Sequence, residues 1–295
     1  MRWKGFTLIE LLVGMGILAM LVVLLGQMLA QVEGAWSTAE SNKERLQNMR
    51  AISDFIANEL QAALLPVNRT GTNSLQFVVN DATIPSAYQN RDAIFWQTPL
   101  ASDQTLGDVA EVGYFVKWDG LTPKLCRFFV SSGKTTSGIV SSNTNFLIYS
   151  KPSKWLSQTT IDAVAPANQA NSYEGMFAEN VLGFWVQCLD STGVQITSDT
   201  NGAAFSNDTF DSRRGYTDSG VTRQLPAIVN LSFAIIDSRS AKKITASLQS
   251  ELSSLVTSSS NAQSFVTSVQ KQSKFQAISQ GIRSWQTAVY IQNSK

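Results

Sequence analysis

The sequence predicts an α+β protein in which a long N-terminal α-helical spine packs on an antiparallel β-sheet head. Three observations predict it. Leu11–Gly26 reads LLVGMGILAMLVVLLG, without one polar side chain. Beyond it a helical period continues to about Leu64. After Pro66 that period gives way to the two-residue alternation of strands bounded by Ser-, Thr- and Asn-rich loops.

The apolar run comes first in the chain. Phe6–Ile9 and Met28–Ala30 extend it to a span of about 25 residues, which at ~1.5 Å per residue is ample for a ~30 Å hydrocarbon layer. The one ionisable group between Lys4 and Glu33 is Glu10. A carboxylate that deep in an apolar segment costs several kcal/mol unless something pairs with it, or unless it reaches the headgroups. A cleaved secretory signal fits poorly, because Met28-Leu29-Ala30 is a weak small-x-small cleavage site. A plain anchor explains the length but not Glu10. Arg2 and Lys4 precede the span, so the positive-inside rule keeps the amino terminus cytoplasmic and exports the remainder.

The stretch Lys4-Gly5-Phe6-Thr7-Leu8-Ile9-Glu10-Leu11-Leu12 resembles the class III signal of type IV pilins and pseudopilins, which sets a Gly, an aromatic residue and a Glu at fixed spacing before a long apolar helix. The resemblance implies a processing route. Prepilin peptidase would cut between Gly5 and Phe6 at the cytoplasmic face and methylate the new amine of Phe6. A residue without a side chain at Gly5 lets the backbone enter a tight protease cleft. Glu10 would then pair with the N-terminal ammonium of a neighbouring subunit and set the axial register of one helix against the next. Cleavage removes Arg2 and Lys4, so a chain of formal charge +1 matures to about −1. One departure is plain: many pilins have a proline in the membrane helix, and here only Gly14, Gly16 and Gly26 could loosen it.

The spine follows. Apolar residues recur at Val32, Trp36, Ala39, Leu46, Met49, Ile52, Ile56, Leu60 and Leu64, with Glu33, Glu40, Lys43, Glu44, Arg45 and Arg50 between them, the pattern of an amphipathic helix offering one stripe to a head. One helix would run from about Phe6 to Leu64; the alternative is a break at Gly34. The head is expected to hold strands at Leu75–Asn80, Ala93–Gln97, Val109–Trp118, Lys124–Val130, Val181–Asp190, Gln195–Ser198 and Ala227–Asp237. Val109–Trp118 and Lys124–Val130 read as a hairpin with one face in the core and one in solvent. Ser131–Asn145 and Thr197–Thr222 read as long loops.

The order of these pieces is similar to the J-type minor pseudopilins of type II secretion, and more closely to the C-type prepilin-like proteins of the Verru_Chthon cassette; Ala93-Ile94-Phe95-Trp96-Gln97 fits the latter. The fold implied is pilin-like. The final residues exceed an ordinary J-type chain. Ala241–Ser258 is an amphipathic helix with Ile244, Leu248, Leu252 and Leu255 on one face, Ala262–Ile282 continues weakly helical, and Ser284–Gln292 alternates as a closing strand. The helical insertion either contacts a partner or is a lineage-specific loop. The expected organisation is a leader at 1–5, a membrane or filament-core helix at 6–30, its amphipathic continuation at 31–65, the β-rich head at 66–240, the Ser/Gln-rich insertion at 241–283 and a closing strand with its tail at 284–295.

Composition limits the chemistry. Of 295 residues only 15% are charged, against roughly 25% in a typical soluble domain, and there is no histidine. That removes Ser-His-Asp and Cys-His catalysis and any His-ligated metal. The near-zero net charge offers no footprint for nucleic acid. Cys126 and Cys188 could form one disulfide or remain two buried thiols. Asp199, Asn201, Asp208 and Asp211, with Asp190 and Asp218 nearby, could supply oxygens to calcium, but such loops are usually turns. The expectation is therefore a structural subunit and not an enzyme, with no cofactor and no small-molecule substrate. Prepilin peptidase, other pilin-like subunits and the bacterial inner membrane would be its partners. It would cross that membrane once, amino terminus cytoplasmic and head periplasmic, before joining a filament. The competing expectation is a membrane-anchored periplasmic module binding a polysaccharide or secreted substrate.

Overall fold

The computed structural model describes residues 8–65, 76–80, 84, 91–99, 108–131, 134–135, 138–139, 175–205 and 208–294. It has the expected α+β architecture, a long amino-terminal helix followed by antiparallel sheets. Helix α1 is Leu8–Gln61 and runs through Gly34 without a break. The chain divides into two units, Met1–Asn48 and Met49–Lys295. In the first, α1 keeps its apolar side chains on the outside, Val32, Trp36 and Leu46 included. In the second, the last turns of α1 bury Met49, Ile52, Ile56 and Leu60, so the stripe expected from Val32 onward turns inward only at Met49. Each fully buried aliphatic chain contributes ~1.5–3 kcal/mol relative to exposure.

The head contains β1 (Phe77–Val79), β2 (Ala93–Thr98), β3 (Ala110–Asp119), β4 (Thr122–Ser131), β5 (Lys134–Thr135), β6 (Gly138–Ile139), β7 (Gly175–Glu179), β8 (Val181–Leu189), β9 (Phe210–Asp211), β10 (Tyr216–Asp218), β11 (Val221–Arg223), β12 (Ile228–Ile236) and β13 (Ile282–Tyr290). They form a six-stranded sheet, β7-β4-β3-β2-β1-β9, a three-stranded sheet, β13-β12-β8, and the ribbons β10-β11 and β5-β6, every ladder antiparallel. The β3–β4 hairpin is present, turning through Gly120 with φ +59°. Ile94, Trp96, Val112 and Tyr114 share one core with the end of α1, and Leu64 N–H donates to the Gln97 carbonyl at 2.8 Å, tying the chain leaving the helix to β2.

Three expectations need correction. The hairpin does not show one face to solvent: Phe115 and Phe128, opposite the α1 face, are also fully buried, the first stacked on Phe95 of β2 and the second meeting that ring edge-on. Gln195–Ser198 is not a strand: it lies between two tight turns, Asp190–Val194 and Asp199–Ala203, and makes one isolated bridge beside each, Gln195 with Leu189 and Ser198 with Ala204. Thr197–Thr222 is not one long loop, since β9 and β10 lie within it and β11 begins in it.

The residues after β12 form a packed layer and not a loop. Helix Ala246–Ser258 starts where Thr245 Oγ1 accepts from Leu248 N–H. Helix Ala262–Gln270 starts with a capping box between Asn261 and Ser264, so the Ser-rich interruption is the turn and cap joining two helices. They bury Leu252, Val256, Phe265, Val266 and Val269 against Leu182, Trp185, Ala234 and Ile236 of the three-stranded sheet. A β-bulge makes that face possible: Gly183 and Val181 pair with Ala234 and Ile235, Leu182 is the extra residue, and Leu182 and Trp185 thereby join the same core. Gly183 must lack a side chain, because a Cβ would sit 2.6 Å from the Trp185 ring.

Candidate functional site

The amino-terminal stretch of α1 is the first candidate. Leu8–Trp36 is 29 residues long with mean hydropathy 2.8, apolar and long enough to cross a bilayer, and none of that window is buried. Leu8 is 83% exposed and Leu24, among the most shielded, still 45%. Leaving such surface in water forfeits ~1.5–3 kcal/mol for each large side chain relative to burial. Glu10 stands on this surface, exposed, in the first turn. Gly5 and Phe6 lie outside the described residues.

A second carboxylate occupies the other end of the same helix in the opposite circumstances. Glu59 is 9% exposed and faces Arg127 of β4: the Arg127 Nε–H donates to Glu59 Oε2 at 3.2 Å, an Nη2–H donates to Oε1, and the Tyr114 hydroxyl also donates to Oε2. The Arg127 guanidinium packs over Phe129 and Phe55, at 5.0 and 5.7 Å from their centroids. The Trp96 indole N–H caps the arrangement by donating to the Glu59 carbonyl at 3.2 Å. A fork-to-carboxylate pair fixes both the rotation and the axial position of the helix on its sheet. Neither residue was expected. The available signal was a charge embedded in each apolar run, Glu59 between Ile56 and Leu60, and Arg127 between Cys126 and Phe128.

The other sequence candidates disperse. Cys126 lies on β4 opposite Phe115 and Met176, and Cys188 on β8 opposite Val229. They belong to different sheets, and both are free and buried, so the bridge is replaced by the alternative of two thiols. Burial pushes the Cys126 thiol up to about 12 and the Cys188 thiol higher still, which suppresses thiolate chemistry. The calcium candidates do not converge. Asp199 pairs with Arg214 at 2.8 Å, Asp208 with Arg91 at 2.7 Å, and Asp211 with Arg213 at 2.7 Å, while Asn201 contributes its backbone N–H to Asp199. Among the described residues no group of three or more acidic, Cys or His side chains could hold a metal. These aspartates staple turns, as Asp218 does with Arg223 and Ser191.

Two buried carboxyls remain. Asp92 Oδ2 accepts from Val186 N–H at 2.7 Å and Oδ1 from Asn80 at 2.8 Å, linking β2 to β8 across the two sheets. Burial pushes Asp92 up to about 7 against the opposing pull of those donors and of Arg91. Glu111 is wholly buried beside Gln97, and burial holds its carboxyl well above the usual range.

Residues 4–26 match the prokaryotic N-terminal methylation motif. The match spans Gly5, Phe6 and Glu10 and most of the apolar stretch, and its described part, from Leu8 on, is exposed. Among solved structures, a type IV-like pilin from Thermus thermophilus aligns over 84% of this chain and 97% of its own length, at 10% identity and a TM-score of 0.35. No curated protein sequence matches the chain. The functional reading rests on the methylation motif and on the exposed helix that carries it.

Proposed function

We propose that this protein is a structural pilin-like subunit, a minor pseudopilin and not an enzyme. Prepilin peptidase cuts it between Gly5 and Phe6 and methylates Phe6. The mature chain crosses the bacterial inner membrane once, with its head in the periplasm, and joins other pilin-like subunits in a pseudopilus or type IV pilus-like filament. One observation carries this reading: the methylation motif opens a helix whose apolar surface is left entirely for other molecules. A membrane holds that surface before assembly, and helices of neighbouring subunits hold it afterwards. In the filament the new amine of a neighbouring Phe6 pairs with Glu10 and sets the axial register of the two helices.

The test is Glu10→Ala in the native host. The expected outcome is normal membrane insertion with loss of the protein from the sheared or sedimented filament fraction. Undiminished recovery in that fraction would contradict the role given to Glu10.

A further inference from the structure

Past the apolar span, α1 has a second pattern. Between Gln31 and Asn48 the large apolar side chains are Val32, Trp36 and Leu46, and all three are exposed, Trp36 to 73%. With Leu25, Leu29, Ala39 and Lys43 they fall at positions 25, 29, 32, 36, 39, 43 and 46, strictly alternating steps of four and three. That is a 3.5-residue period, which draws two helices into a left-handed pair with the seam between them. Inside the span almost any spacing would be apolar. Beyond Ala30 the remaining positions are polar or small, so there the seam is specific. It ends at Leu46, because the next seam position is Arg50.

Lys43 identifies the occupant. In a parallel pair of copies held in register, Lys43 would face Lys43 across the seam, a like-charge contact. Moving one copy along by a heptad, about 10 Å at ~1.5 Å per residue, changes every layer. Lys43 of one copy then reaches the level of Trp36 of the other, where the ammonium can lie over the indole face. It also comes between Glu33 and Glu40, which flank Trp36 at three and four residues and are both exposed. Ala39 meets Val32 and Leu46 meets Ala39, so the apolar layers survive. The chain's charge pattern is complementary to itself at that offset.

We propose that Leu25–Leu46 docks on a second copy of this chain displaced by one heptad, with Lys43 of one copy seated on Trp36 between Glu33 and Glu40 of the next. This rests on the filament-subunit reading and sharpens it. A subunit that recognises its own helix occurs in successive copies along the filament instead of once at its tip. The Glu10 contact can involve a different neighbour, since a helix in a filament has neighbours on several sides.

The experiment co-expresses the full-length Trp36→Cys and Lys43→Cys chains in the native host and oxidises its membranes and filaments. Native Cys126 and Cys188 are buried and do not compete. The expected result is a disulfide-linked dimer from the mixture and little from either variant alone. Equal linkage in Trp36→Cys alone would overturn the offset. No linkage in chains that still reach the membrane would overturn the seam. A second pair, Val32→Cys with Ala39→Cys, should link likewise and lose about fivefold on adding Lys43→Glu, the equivalent of ~1 kcal/mol of cation–π and ion-pair attraction. Adding Glu33→Lys and Glu40→Lys should restore the ion-pair share of that loss, the cation–π contact with Trp36 staying lost; no recovery at all on charge reversal would contradict the charge pairing. The amino-terminal residue of the same preparations separates the two ideas: a chain still beginning at Met1 refutes the processing route, whatever the crosslinks show.

Discussion

Leu8–Trp36 and Met49–Gln61 are stretches of one helix with the same backbone and opposite fates. The first is apolar all round and buries nothing within its own chain. The second is apolar on one stripe and buries Met49, Ile52, Ile56 and Leu60. One carboxylate from each stretch marks the contrast. Glu59 is held inside the fold by Arg127 and Tyr114, whereas Glu10 is exposed in the first turn. Burial by the chain's own head therefore begins at Met49, and the apolar surface before it is left exposed. A helix hydrophobic on one side completes a core, and a helix hydrophobic on every side needs company.

Removing each carboxylate in turn should separate the two roles. Glu59→Ala leaves Arg127 buried without its counter-ion and should destabilise the head by about 3–5 kcal/mol, read as a lower melting temperature of the full chain in detergent. Glu10→Ala should leave that melting temperature unchanged. The same contrast holds for apolar truncations. Ile56→Ala should cost about 2–5 kcal/mol, and Leu18→Ala nothing measurable in the same melt. Equal sensitivity at Ile56 and Leu18 would break the comparison.

A smaller effect sharpens it from the head's side. The Asp92 carboxyl is raised in the folded state to about 7 from an ordinary value of 3.8. The folded protein therefore holds that proton more tightly than the unfolded chain. The stability it contributes is fully present below pH 4 and is lost as pH rises toward 7. Arg91, Asn80, Asp208 and the Val186 N–H face the group. In Asp92→Asn the fall between pH 4 and 7 should shrink, by on the order of 1–3 kcal/mol across the window. An unchanged pH profile in a melt series would contradict it. The smallest effect is at the C-terminal layer: Thr245→Ala removes a helix cap and should cost ~1 kcal/mol in the same melt.

Much of the fold was legible because its signals are local. Gly5, Phe6 and Glu10 lie within six residues, and β2, β8 and β12 announce themselves by runs such as AIFWQ and VLGFWV. The Glu59–Arg127 pair was not legible, since its partners are 68 residues apart and meet only when α1 docks on β4. Asp92 escaped for the same reason, with Val186 94 residues away. The aspartates after β8 were visible as a cluster, but sequence proximity did not reveal that Arg91, Arg213, Arg214 and Arg223 each claim one. The buried far side of the β3–β4 hairpin was hidden too. Period alone does not distinguish a strand covered on one face from one covered on both when its outer positions are Phe115 and Phe128.

On the proposed function, the exposed half of α1 is a processed assembly element. Intact mass and amino-terminal sequencing of the protein purified from its native host test it directly. The account predicts a mature chain beginning at N-methylated Phe6, with residues 1–5 gone. A chain beginning at Met1, or one cut after the apolar run at Gln31, would contradict it.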